Sequence, residues 1–85
     1  MLTTTEIKQR IIEAVVDILA GAGEVVTGVS GSDELVALGV SSMLYARMVM
    51  KLEAEFGVEV FDSGEQPAHI RTIDDLADTF SRAMV

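Results

Sequence analysis

The chain has 85 residues, 49% of them hydrophobic, with 14 acidic against six basic side chains and a formal net charge of −8. That length supports one domain around a single core, and that charge sets the chain against nucleic acid and anionic lipid. There is no cysteine and one histidine, His69, which excludes disulfides, thiolate metal sites and two-histidine mechanisms. Leu2 and three threonines stand where a signal peptide would place positive charge, and no apolar run is long enough to cross a bilayer. The expectation is a single cytoplasmic domain over residues 1–85 that binds neither membrane nor nucleic acid.

Thr3-Thr4-Thr5-Glu6 has the form of a capping box, with Thr3 as N-cap, Glu6 reaching back to it, and Leu2 and Ile7 placed as a hydrophobic staple. Ile7, Ile11, Ala14, Val15, Ile18 and Ala22 then recur on one helical face, widened by Ile12 and Leu19. Gly21 and Gly23 end this helix, because glycine takes the left-handed conformation beyond a C-cap without strain. Residues 21–41 predict a long loop, with Gly21, Gly23, Gly28 and Gly31 ahead of Gly39 and Thr27, Ser30 and Ser32 among them. Val25, Val26, Val29, Leu35, Val36 and Leu38 are too apolar for a solvated linker, so the loop is expected to fold against the core. Ser32-Asp33-Glu34 would open a short helical turn that carries Leu35 and Leu38 inward. Loops of this length in compact domains are commonly functional.

A second long helix begins at the pair Ser41-Ser42 and stops at Gly57. Tyr45, Met48, Val49, Leu52 and Phe56 fall on one face of a 3.6-residue period, which is enough to bury the helix. Met43, Ala46, Met50 and Ala54 cluster on the opposite side. A chain this short has one core, which leaves that second stripe to water or to a partner. Val58-Glu59-Val60-Phe61 alternates like a strand but has no partner strand in the sequence, and predicts an extended connector. Asp62 to His69, with Gly64 and Pro67, reads as a polar loop. Thr72-Ile73-Asp74-Asp75 repeats the capping logic, and Ile73, Leu76, Ala77, Phe80 and Met84 stripe a last helix. The fold class is therefore all-α, a small bundle of three to four helices with a long loop after the first.

Few side chains converge for catalysis. Gly39-Val40-Ser41-Ser42-Met43 lacks the second glycine of a nucleophile elbow and no strand precedes it. A triad of Ser42, His69 and an aspartate has no supporting pattern. The acid pairs Asp33-Glu34 and Asp74-Asp75 lack the alternating ligands of a calcium loop and fit helix starts, where they complement the macrodipole. No enzymatic or metal site is expected. The serine pair admits two readings. Both serines serve the helix N-terminus, or Ser41 caps it and Ser42 presents an uncommitted hydroxyl at the first helical position. In the second case a phosphodiester on Ser42 would sit where free N–H groups and the helix dipole favour an anion.

Leu38-Gly39-x-x-Ser42, a medium-sized apolar residue, and then Leu52-Glu53-x-Glu55-Phe56-Gly57-Val58-Glu59-Val60 resemble the acyl and peptidyl carrier protein family. The likeness runs over nearly the whole chain, through Ile70-x-Thr72-Ile73-x-Asp75-Leu76 at the opening of the last helix, and the spacing from Ser42 to Phe56-Gly57 fits without a gap. The resemblance implies an acyl-carrier type of bundle in which Ser42 carries 4′-phosphopantetheine. It also implies a non-catalytic monomer whose arm is attached from coenzyme A by a phosphopantetheinyl transferase. A loading enzyme and a downstream synthase, met in trans, would place and collect a thioester on the terminal sulfur. Met43, Ala46, Arg47 and Met50 become the candidate partner-binding residues.

Two departures from the family pattern refine this. The family usually has aspartate directly before the modified serine, and this chain has Ser41, which keeps the cap and loses the charge. The fatty-acid members carry acids along the outer face of this helix, where this chain has Arg47 and Lys51 beside Met43 and Met50. The first bears on recognition by transferases, and the second favours a dedicated carrier in specialised biosynthesis over a housekeeping fatty-acid carrier. An acyl cargo of polyketide type is favoured over an aminoacyl one, because Leu38-Gly39-Val40 lacks the Gly-Gly common in peptidyl carriers. A rival from another class is a cofactor-free helical adaptor that binds a partner helix through the methionine stripe.

Overall fold

Thr3 caps the first helix, α1 (Thr4–Gly21), through both halves of a capping box. Its hydroxyl accepts from the Glu6 N–H at 3.1 Å, and its own N–H donates to Glu6 Oε1 at 3.0 Å. The bond from the Thr3 N–H first, and the Thr3 side chain after it, hold the Glu6 carboxyl below its usual value of 4.5. The computed structural model describes residues 2–60 and 70–84, and adds α2 (Leu35–Leu38), α3 (Ser42–Phe56) and α4 (Ile73–Ala83). The protein is all-α, and no strand occurs among the described residues. The predicted connector at Val58–Phe61 is irregular through Val60, while Phe61 and the predicted loop Asp62–His69 lie outside the described residues.

α1 is the central support, with α3 and α4 both packed on it. Ile7, Ile11, Ala14, Val15 and Leu19 of α1 meet Tyr45, Met48, Val49 and Leu52 of α3 and Ile73, Leu76, Ala77 and Phe80 of α4 in one core. Phe56 is half-buried and meets Phe80 edge to face, with ring centroids 5.3 Å apart, the offset geometry that the ring quadrupole favours. Two details of the α1 face depart from expectation. Ala22 is exposed, because the helix closes one residue earlier and Ala22 is its C-cap. Leu19 is fully buried while Ile18 is only half-buried, so the buried face has rotated toward the predicted flank.

The long loop folds inward only in part. Leu35 and Val40 are buried, and Val26, Val29 and Leu38 pack at the edge of the core. Val25 and Val36, expected inside, are 89% and 77% exposed. Val25 directly follows the turn that closes α1, where the Glu24 N–H returns to the Leu19 carbonyl at 2.8 Å. Val36 sits on α2, a single turn that can bury only one side and buries Leu35. The turn also begins later than predicted. Asp33 does not cap it, because its carboxylate accepts from the Ser30 N–H at 2.8 Å.

A clasp between this loop and the start of α4 holds the loop in place. The Leu35 N–H donates to the Arg71 carbonyl at 2.9 Å, and the Asp74 N–H donates to the Gly31 carbonyl at 2.9 Å. Glu34 and Thr72 form an isolated antiparallel bridge. Gly31 is buried, and a side chain there would overlap the Asp74 carboxylate and the Lys8 stem, whose ion pair spans 3.1 Å.

The two sides of α3 predict different costs on truncation. Leu52→Ala removes a side chain that is 1% exposed and is expected to destabilise the fold by about 2–5 kcal/mol. Met50→Ala, at a position 68% exposed, is expected to cost under about 1 kcal/mol. Denaturant unfolding of both variants measures this, and equal costs would contradict the orientation given to α3.

Candidate functional site

The approach to the serine pair is set by a sharp backbone reversal. Gly39 closes α2 in the left-handed conformation, with φ of 100°, a region that side-chain-bearing residues rarely adopt. The Val40 N–H then returns to the Leu35 carbonyl at 3.0 Å, and the Val40 side chain is buried at 5% exposure. That anchor delivers Ser41 and Ser42 to the surface at the head of α3, where both are exposed.

The serines have different roles. Ser41 is the N-cap: its backbone is extended and its Oγ accepts from the Leu44 N–H at 3.2 Å. Its carbonyl also receives the Tyr45 N–H at 2.8 Å. Ser42 is the first residue of α3, and its hydroxyl makes no hydrogen bond among the described residues. The first N–H groups of a helix have no acceptor within it, and the dipole adds partial positive charge there. An exposed hydroxyl beside such N–H groups can carry a phosphodiester with its negative charge stabilised. No cation is needed for that, and this first turn contains no acidic side chain.

Among the described residues no catalytic constellation accompanies Ser42. His69 lies outside the described residues, and among those described no cluster of three or more metal-ligating side chains occurs. Tyr45, one turn below, is buried, and desolvation pushes its pKa up to about 12. It therefore keeps its proton near neutral pH and cannot serve there as a base.

The outer stripe of α3 stands away from the core, as its period predicts. Met43 and Met50 are 65% and 68% exposed, Arg47 and Ala54 are exposed, and Ala46 is half-buried at the margin. The ion pairs among the described residues engage Lys8 with Asp74, Arg10 with Glu55 and Arg82 with Asp78. Arg47 takes part in none of them. Sequence reasoning missed Glu53. Its Oε2 accepts from the Val60 N–H at 2.7 Å, which folds the chain after α3 back against the helix. A glutamate in the last turn before a helix-ending glycine was the available signal, but the glutamate has the same spacing when it faces water.

A family model described as "Phosphopantetheine attachment site" matches residues 9–80. The chain belongs to the phosphopantetheine attachment site family. The match extends from the first turns of α1 to Phe80 in α4, so it takes in all three packed helices and the serine pair. Family members bear 4′-phosphopantetheine covalently. Such carrier domains are generally non-catalytic, are substrates of a phosphopantetheinyl transferase, and work with synthases. Comparisons with curated proteins and with solved structures returned no match. No helix among the described residues is long and apolar enough to cross a membrane.

Proposed function

We propose that this protein is an acyl carrier of specialised biosynthesis, with the phosphopantetheine arm on Ser42 and with docking on the outer face of α3. One observation carries the assignment of the serine. Ser41 spends its oxygen on the helix cap, while Ser42 beside it keeps an exposed hydroxyl at the helix N-terminus. In the transfer, the Ser42 oxygen bonds to the phosphorus of coenzyme A's phosphopantetheine, the nucleotide departs with its own phosphate, and the transferase takes the hydroxyl proton. The arm supplies the thiol that a chain without cysteine lacks, and a pathway intermediate rides on it as a thioester. Leu38-Gly39-Val40, with a single glycine, supports an acyl cargo over an aminoacyl one.

Intact mass after incubation with coenzyme A, magnesium and a broad-specificity phosphopantetheinyl transferase tests the serine. Wild type is expected to gain one phosphopantetheine, Ser42→Ala none, and Ser41→Ala to remain a substrate. Losing the cap costs about 1 kcal/mol, a small part of the roughly 5–15 kcal/mol typical of a folded domain, so both variants stay folded. Full modification of Ser42→Ala would overturn the assignment, and an unmodified wild type would favour the cofactor-free adaptor.

The docking face is proposed as Met43, Ala46, Arg47 and Met50. Methionine adapts to an apolar groove, and an uncommitted arginine at its margin selects partners by sign. Met43→Ala and Met50→Ala are expected to slow cargo transfer to the cognate enzyme more than they slow attachment of the arm. Arg47→Glu is expected to lower transfer to that enzyme and to improve acceptance by enzymes that serve acidic carriers. Transfer rates at low and moderate salt measure this. An Arg47→Glu variant silent with both enzymes, together with wild-type transfer that collapses in modest salt, would move docking to the acidic residues.

A further inference from the structure

Three of the chain's five methionines lie on α3, and the packing of that helix sorts them. Met48 is sealed in the core at 0% exposure, while Met43 and Met50 are 65% and 68% exposed. The chain has no cysteine, so before an arm is attached thioethers are its readily oxidised sulfur. Helical spacing also sets what surrounds the two exposed sulfurs. Side chains three or four positions apart are neighbours on a helix surface. Along α3 these are Ala46 and Arg47 for Met43, and Ala46, Arg47, Glu53 and Ala54 for Met50. In that set Arg47 alone carries side-chain donors, and it flanks both methionines. A thioether is too weak an acceptor to hold it, and Arg47 takes part in none of the ion pairs among the described residues.

We propose that Met43 and Met50 are a paired oxidation site, converted to sulfoxides by hydrogen peroxide, and that either sulfoxide draws the Arg47 guanidinium onto the outer face of α3. In each step the thioether sulfur bonds to one peroxide oxygen, the O–O bond breaks, and the other oxygen leaves as water. The sulfur is oxidised by two electrons and the peroxide is reduced. The product is polar and chiral where the thioether was apolar and adaptable. Its oxygen gives the arginine an acceptor at helical spacing. Oxidation therefore removes the apolar stripe and engages the one cation beside it, which closes this face to apolar surfaces. A methionine sulfoxide reductase reverses the change: two thiols become a disulfide and the oxygen leaves as water. The fold is spared, because peroxide reaches Met48 only when the core opens.

The consequence for docking rests on the face proposed above, but the modification can be tested without any partner. The full-length chain is used before arm attachment, because the arm's thiol would itself be oxidised. Timed exposure to hydrogen peroxide is followed by peptide mapping, with fragmentation to separate Met48 from Met50. Met43 and Met50 are expected to convert at least about tenfold faster than Met48, which reacts only through opening of the fold. In the ¹⁵N-labelled chain the Arg47 Nε–H signal should shift and exchange more slowly with water on oxidation, and retention on a phenyl matrix should fall. A methionine sulfoxide reductase with a dithiol should restore both. The double variant Met43→Leu, Met50→Leu keeps the stripe apolar and should show neither change under the same peroxide. Met48 oxidised as fast as Met50, an Arg47 signal or a retention indifferent to oxidation, or the same changes in the leucine variant would overturn the proposal. An oxidised chain that meets these expectations, accepts the arm and transfers cargo at an undiminished rate contradicts the docking face alone.

Discussion

Burying Tyr45, Met48, Val49 and Leu52 fixes the rotation of α3, and with it the direction of every residue on its other side. A helix about its own axis has one degree of freedom, and this packing removes it. Once the inner face meets α1, Met43, Arg47 and Met50 must point outward. The head of the helix is fixed as well. Val40 in the core and Gly39 in the left-handed conformation bring the chain up at one place, so Ser41 caps and Ser42 is presented. The proposed attachment site and the proposed docking face both follow from this single packing event.

The parts of this arrangement that rest on local chemistry were legible in the amino-acid sequence. Thr3 with Glu6 and Thr72 with Asp75 form reciprocal caps as their spacing predicts, because a capping box is closed by residues three apart. The helical stripes and the termination of α3 at Gly57 were equally readable. The loop was not, for a physical reason. Its backbone bonds join Leu35 to Arg71 and Gly31 to Asp74, and no side-chain type announces which distant carbonyl an amide will find. Hydrophobicity overstated what the loop buries, since a one-turn α2 has one inner side and Val36 is on the other. At the serine pair the residues alone left two readings open, and the structure shows Ser41 taking the cap with Ser42 exposed beside it.

Charge has a distinct role at each level. A net charge of −8 disfavours contact with nucleic acid, but it does not describe the outer face of α3. Lys8 and Arg10 are committed to α4 and α3 through Asp74 and Glu55. Arg47 remains exposed among methionines, outside any ion pair among the described residues. The docking face proposed here is thus apolar and cationic near the serine, which supports a fit to enzymes unlike those that recognise uniformly acidic carriers.

The central claim is that the two adjacent serines are chemically distinct. The most direct measurement is fragmentation mass spectrometry of the wild-type chain after enzymatic loading from coenzyme A, reading the peptide that contains Ser41, Ser42 and Met43. The account predicts the whole adduct on Ser42 and an unmodified Ser41. An adduct on Ser41, or one divided between the two serines, would contradict it.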